Sequence, residues 1–232
     1  MRPFLGRDRP VSSKTARPRG RPRASATKLE TTHAAVRDRI CDAALALFDH
    51  AGMEAISMRE VAREMGVSPM MPYTYFPSKD HLLQELRTLA FQQLERALKT
   101  AAAESGDAGA KLEAVIVAYL RFGRDEPRAY RLMFDYWVYD SPSALLEAFG
   151  EDARRQSGGW QVVLATMRAY FAARGAEGDA LVSAHLTWAS LHGLVSLQAS
   201  RKLVLGVDYE DLAIPLARAI VSGLPAAEGF GS

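Results

Sequence analysis

Cysteine is nearly absent: Cys41 is the single one among 232 residues. A disulfide within the chain is excluded, and the composition fits a reducing compartment. No apolar run approaches the ~18–20 residues that span a bilayer, and no apolar stretch near the N-terminus has the form of a secretory signal. A cytoplasmic protein that does not enter the membrane is expected. Also missing are a Gly-rich phosphate loop, zinc-ligand spacing and a nucleophile elbow. No metal, no cofactor and no catalytic residue are therefore expected, and the chain reads as a protein that is not an enzyme. Cys41 and His192 make a tempting nucleophile pair. Yet Cys41 lies beside Ile40 on the apolar half of a helical stretch, and buried cysteines are usually inert.

What is present is an asymmetry of charge. The chain carries a net +2. Residues 1–28 hold nine Lys and Arg against one acid, Asp8, so this stretch carries +8 and the remainder −6. A basic arm on an acidic body points to a polyanionic partner, and a solvated tail is the plainer alternative. Residues 1–30, rich in Arg, Pro, Ser and Thr, show no periodicity and read as a mobile arm. Within it, Pro18-Arg19-Gly20-Arg21-Pro22 resembles the core of an AT-hook, an extended peptide lying in narrow A·T-rich minor grooves, with Arg19 and Arg21 meeting the negative potential there. A generic basic tail explains the same residues. Either reading adds salt-dependent affinity for DNA.

Beyond the arm the apolar pattern is helical throughout. Val36, Ile40, Ala44 and Leu47 form the first stripe, which starts near Thr32 and stops at Gly52. Ser57 and Glu60 have the spacing of a capping box for a second helix over 57–66, with Val61, Ala62 and Met65 on its buried face. A third short segment covers 68–76. A fourth helix begins near Ser78 and carries Leu82, Leu86, Leu89, Leu94 and Leu98. Further helices are predicted over 110–123, 128–139, 143–156, 158–174, 178–203 and 208–223. The predicted fold class is all-α.

Two short helices joined by a tight turn have the dimensions of a helix-turn-helix. The detail is more specific. Ile40-Cys41-Asp42-Ala43-Ala44-Leu45-Ala46-Leu47-Phe48, Gly52, Ile56 through Ala62, Gly66-Val67-Ser68, Tyr73-Thr74-Tyr75-Phe76 and Ser78 through Leu83 fall in order. Together they closely resemble the DNA-binding domain of TetR-type (tetracycline-repressor-like) transcription regulators. The resemblance implies an N-terminal three-helix DNA-binding domain followed by a larger helical bundle. The corresponding division is a basic arm (1–30), a helix-turn-helix domain (31–78) and a ligand-binding and dimerisation domain (79–224).

Helix N-termini bind phosphate through outward N–H groups and the positive dipole end. Ser57 opens the second helix beside Arg59, and Lys79 opens the fourth; both sites are candidate phosphate anchors, while Ser57 acts as a cap in any case. Ser68, which opens the third segment with Pro69, is a candidate DNA contact; Pro69, Met70, Met71, Tyr73 and Thr74 are candidates for the major groove, with Tyr73 and Tyr75 able to donate to phosphate. Phe76 reads as core. Pro72 departs from the Leu common in the family. Proline is expected to push Met71 out of helical geometry, so that the segment effectively begins at Pro72. The segment lacks Arg, Lys, Asn and Gln, the usual bidentate base readers. Specificity then rests on apolar contacts, Thr74, DNA shape and the arm.

A reader of this size usually works as a dimer on two half-sites. The last two long helices, with Leu186, Ala189, Leu194, Leu197 and Leu203, then Leu212, Leu216 and Ile220, are the expected homodimer surface. Trp188-Ala-Ser-Leu-His192-Gly193 resembles a Trp…His-Gly motif in the C-terminal domain of one TetR-type subgroup, with Gly193 permitting close helix approach. The resemblance also implies a pocket for an apolar small-molecule effector. Met133, Phe134, Trp137, Tyr170, Trp188 and His192 are the candidate lining, although aromatics in a bundle are more often core, and His192 reads equally as a hydrogen-bonded core histidine. The expected activity is that of a repressor binding double-stranded DNA and released by an effector. A dimeric activator or architectural regulator without an effector is the alternative.

Overall fold

A computed structural model of the protein describes residues 24–135, 143, 144, 147, 150, 154, 156–176, 178–204 and 206–224. Arg19, Arg21 and Trp137, with most of the predicted 143–156 helix, lie outside them. Among the described residues the structure is helical, with no strand, as the periodicity requires. The chain divides into two compact units, Met1–Asp38 and Arg39–Ser232. Of the first, the described part is the start of α1 (Ala24–Ala51), which begins earlier than Thr32. Residues 24–30 contain Ala24, Ala26, Lys28, Leu29 and Glu30 and no proline, so they favour helix once Pro22 is passed. The remainder of α1 and everything beyond it belong to the second unit.

Gly52 ends α1 at φ 75°, donating its N–H to the Phe48 carbonyl at 2.8 Å. That left-handed conformation is the reason for glycine here. A single 3-10 turn, Met53–Ala55, leads to α2 (Met58–Glu64). Ser57 caps α2 by accepting from Glu60 N–H at 3.2 Å. The expected reciprocal half of the box is replaced by a pairing of the Glu60 carboxylate with Arg63. Gly66, at φ 66°, closes α2, and Val67 N–H returns to the Ala62 carbonyl at 3.0 Å.

The body contains α3 (Lys79–Glu104), α4 (Ala108–Asp125), α5 (Pro127–Phe134), α6 (Gly158–Arg174), α7 (Ala180–Ala199) and α8 (Tyr209–Gly223). Helix α3 packs on α4, α5 and α6; α4 also packs on α6, α7 and α8. Leu82, Leu86, Leu94 and Leu98 are buried as the stripe predicts, but Leu89 is exposed and Leu83 takes its place in the core. Each fully buried leucine or isoleucine, such as Leu112, Ile116 and Leu120 on α4, contributes about 1.5–3 kcal/mol.

Close helix approach is found at Gly123 and not at Gly193. A Cβ on Gly123 would stand 2.5 Å and 2.6 Å from the two methyls of Val195 on α7, whereas one on Gly193 meets nothing within 4 Å. Helix α7 is, by length and composition only, long and apolar enough to cross a membrane, a test that core helices of proteins outside membranes also pass. Its scattered Ser, Thr and His residues interrupt the apolar run in sequence without lowering the mean hydropathy below that mark.

Candidate nucleic-acid interface and ligand cavity

The segment after α2 is not an α-helix. Met71 N–H donates to the Ser68 carbonyl and Thr74 N–H to Met71, each at 3.0 Å. Pro72–Thr74 then form one 3-10 turn, with Phe76 N–H returning to Pro72 at 2.9 Å. Met71 keeps helical angles, φ −62° and ψ −46°, against the expectation that Pro72 would expel it. These turn bonds on either side hold it there, and Pro72, which has no N–H to satisfy, opens the turn. Pro72 and Phe76 are buried, anchoring the segment. The side chains left outside are Ser68, Pro69, Met70, Tyr73 and Thr74; Met70 is 70% exposed and Tyr73 45%. Met71 and Tyr75 are half-buried.

The two helix starts named as candidate phosphate anchors are both formed. Arg59, in the first turn of α2, is exposed. Ser78 caps α3 by accepting from His81 N–H at 3.3 Å, and Lys79 is half-buried, its Nζ 3.4 Å from the Met53 carbonyl. Lys79 therefore ties the start of α3 to the 3-10 turn after α1 while presenting its charge at the helix N-terminus. The head is tied to the body a second time through α5. Arg128 pairs with Asp49 at 2.6 Å, and the Arg131 guanidinium lies 5.1 Å from the centre of the Phe48 ring.

Helix α5 also borders a cavity of about 400 Å³, within the range of small-molecule sites. Its wall takes Phe91, Leu94 and Leu98 from α3, Met133 and Phe134 from α5, Trp160 and Val163 from α6, and Trp188 and Leu191 from α7. Polar groups enter at few points: Arg87 and Gln156 at one part, Tyr119, Thr187 and His185 elsewhere. Of the candidate residues, Met133, Phe134 and Trp188 stand on its wall. Tyr170 and His192 do not. Tyr170 is buried on another face of α6, its hydroxyl donating to the Val221 carbonyl of α8 at 3.1 Å and accepting from Arg174 at 2.8 Å.

His192 sits one layer behind the wall, at the end of a hydrogen-bond chain. Trp188 Nε1–H, which can only donate, lies 3.2 Å from Tyr119 Oη. Tyr119 and Tyr130 hydroxyls are 3.1 Å apart, and Tyr130 Oη is 2.6 Å from His192 Nδ1. His192 Nε2 lies 3.3 Å from Ser196 Oγ. A neutral imidazole protonated on Nε2 satisfies every link in one direction. Burial supports that state, lowering the His192 pKa, with the Asp135 charge partly opposing it. Burial likewise pushes the Tyr119 hydroxyl up to about 12, and raises that of Tyr130 as well. Both phenols stay protonated donors at physiological pH.

The polar end of the cavity was not found from the sequence. Gln84, Arg87 and Thr88 are all buried on α3, and Gln156 joins them from before α6. The signal available was their spacing: 84, 87, 88 and 91 fall at i, i+3, i+4 and i+7, so polar side chains interrupt a core-facing stripe.

The comparisons with known proteins agree with this architecture. Residues 40–86 match the family described as bacterial regulatory proteins, tetR family. Residues 112–220 match the tetracyclin repressor-like C-terminal domain. A stretch of 108 residues, 47% of this chain, is 32% identical to the HTH-type transcriptional repressor KstR of Mycolicibacterium smegmatis and spans 53% of that protein, about half its length. A protein of unknown function from Rhodococcus sp. RHA1 superposes with a TM-score of 0.70 at 24% identity, over 83% of this chain and 95% of that one. The TetR family transcriptional regulator PfmR from Thermus thermophilus superposes with a TM-score of 0.57 at 21% identity, over 81% and 99%. With residues 40–86 and 112–220 matched in order by the family's own N-terminal and C-terminal domains, the chain belongs to the tetR family of bacterial regulatory proteins.

Proposed function

We propose that the protein is a sequence-specific DNA-binding transcriptional repressor, active as a homodimer in the cytoplasm and released from its operator by a small apolar effector, and that it is not an enzyme. The observation that carries the DNA reading is the turn from Ser68 to Tyr75. Its backbone is bonded internally and its base is buried, yet it presents Met70 and Tyr73 outward. Neighbouring apolar side chains held outward on a rigid support form a contact surface suited to a partner. Thymine methyls and sugar edges in a major groove suit them. Ser57, Arg59, Tyr75 and Lys79 are assigned to phosphate, and Arg19 and Arg21 to the minor groove.

A second copy is assigned to the α7 and α8 face. Leu181, Val182, Leu186, Leu197 and Ile214 are exposed there, and Leu186 is 65% exposed. This apolar face also accounts for the membrane-like composition of α7 in a protein working in water. The cavity beside α5 is assigned to the effector, supported by its lining of aromatic and aliphatic side chains. Met133 and Phe134 line it, and two turns of the same helix carry Arg128 and Arg131 to α1. A ligand that shifts α5 therefore has a short mechanical route to the reading head.

Selection of genomic fragments by the purified protein tests the DNA reading: a recurring palindromic or near-palindromic site is expected. Tyr73→Ala and Met70→Ala should lower affinity for that site without unfolding the protein. Recovery of no sequence preference, or wild-type affinity in both variants, would overturn it. Leu186→Glu should yield a monomer by light scattering and weaken binding to the paired half-sites.

A further inference from the structure

The chain of polar side chains that ends at His192 has two fully hydrogen-bonded arrangements. Its fixed end is Trp188 Nε1–H, a donor only, 3.2 Å from Tyr119 Oη. At its far end His192 Nε2 lies 3.3 Å from Ser196 Oγ, a hydroxyl that can accept or donate. Between them, the Tyr119 and Tyr130 hydroxyls are 3.1 Å apart, and Tyr130 Oη is 2.6 Å from His192 Nδ1. The imidazole is held by stacking on Tyr130 and by edge contact with Phe134, at 5.7 Å and 4.8 Å between ring centres. With the proton on Nε2, Tyr119 donates to Tyr130 and Tyr130 to His192. With the proton on Nδ1, His192 donates to Tyr130, Tyr130 to Tyr119, and Ser196 to Nε2. The Tyr119 oxygen then accepts twice, and its own O–H is left over. Tyr119 has no further hydrogen bond among the described residues, and it stands on the cavity wall with Trp188. The second arrangement is complete once the cavity holds an acceptor.

We propose that the ligand of this cavity is an apolar ketone whose oxygen accepts from the Tyr119 hydroxyl, and that its binding reverses the chain and moves the His192 proton from Nε2 to Nδ1. The inference rests on the effector-cavity reading above and names its ligand class. The proton count is unchanged. Solvent at the cavity end gives one proton to Tyr119 as each hydroxyl hands its own along to Nδ1, and solvent at the half-buried Ser196 takes the one from Nε2. Burial favours the neutral ring, so the change is one of tautomer and not of charge. A phenol O–H is a better donor than its oxygen, already accepting from Trp188, is an acceptor. A carbonyl is therefore preferred to a hydroxyl on the same skeleton, and the low-dielectric surroundings sharpen the difference. Tyr130 lies on α5, and His192 and Ser196 lie on α7. One ligand oxygen thus acts both on the helix whose Arg128 and Arg131 reach the head and on the helix assigned to the second copy.

The test is calorimetric binding of 2-octanone and 2-octanol, which share one skeleton, to the full-length protein at mildly alkaline pH. The ketone is expected to bind tighter by on the order of fivefold, as one net hydrogen bond warrants. Tyr119→Phe should bring the ketone to the level of the alcohol. Tyr130→Phe, which takes away the internal acceptor of the Tyr119 proton, should tighten the ketone further, a gain that a packing role for these tyrosines does not give. In nitrogen NMR spectra of the histidines, the signal lost in His192→Gln should report the Nε2–H tautomer without ligand and the Nδ1–H tautomer with 2-octanone. This measurement on the wild type decides if Tyr119→Phe does not fold by circular dichroism. Equal affinity for the two probes, a ketone preference that survives Tyr119→Phe, or an imidazole that keeps its Nε2 proton with the ketone bound would overturn the proposal while leaving the cavity reading standing. Binding of neither probe would overturn both.

Discussion

Gly123→Ala should destabilise the protein, although alanine is the better helix former. In the middle of an exposed helix the exchange gains about 1 kcal/mol. Here the added methyl would meet Val195 Cγ1 at 2.5 Å, Cγ2 at 2.6 Å and Cβ at 3.2 Å, well inside the ~3.5–4.0 Å of ordinary carbon contact. Valine in a helix has one strongly preferred rotamer, so the two methyls do not swing clear together. Overpacking of this kind costs typically ~1–3 kcal/mol. The larger penalty wins, leaving a net loss of about 1 kcal/mol or somewhat more. Val195→Ala alone should also destabilise, by roughly 2 kcal/mol for two lost methyls and the gap they leave. In the Val195→Ala background the two methyls are gone and only Cβ remains, at 3.2 Å, so Gly123→Ala should cost clearly less than in the wild type, a coupling that exposes the direct contact. Urea denaturation of the four proteins, followed by circular dichroism, measures the cycle. The Trp188–Tyr119 bond crosses between the same two helices, so the single variant should also disturb tryptophan fluorescence. A Gly123→Ala protein more stable than wild type would refute the reasoning.

Three further outcomes are expected. His192 has its pKa lowered below 6.5 mainly by burial, so the unfolded chain binds more protons on acidification. The stability it contributes is full above pH 6.5 and lost as pH falls through the folded value; His192→Gln should flatten that limb of a stability–pH profile, and an unchanged limb would assign it to other groups. Lys79→Ala should weaken binding to all DNA sequences alike and reduce the slope of log affinity against log salt by about 0.9 per subunit; a change in base preference instead would contradict its phosphate assignment. Deleting residues 1–28 should reduce the same slope by several units per dimer, on the order of 0.9 for each phosphate neutralised. On operators differing only in flanking sequence, Arg19→Ala with Arg21→Ala should hurt A·T-rich flanks more if the arm is an AT-hook, and both flanks equally if it is a basic tail.

The sequence alone determined the helical fold class and most helix positions, because a 3.6-residue apolar repeat and a small set of caps are local properties. Ser57, Gly52, Gly66 and Ser78 each act within four residues of where they stand, and each is found at the end of the helix it was read to bound. The series of motifs from Ile40 to Leu83 was likewise legible, and the family follows from it. Only the tertiary structure decided which side chains meet across helices. Periodicity assigns a residue to a buried face but not to a neighbour, so Tyr170 and His192 fell to the core and to a second layer, while Arg87 and Gln156 reached the cavity. Gly193 drew notice for its motif, yet the close contact is at Gly123, since the approach of α4 to α7 depends on how the bundle is assembled. The turn over Pro72 shows the same limit at short range. Proline's preference predicts a displaced Met71, and the bonds to Ser68 and Thr74, with Pro72 and Phe76 packed beneath, hold it in helical geometry.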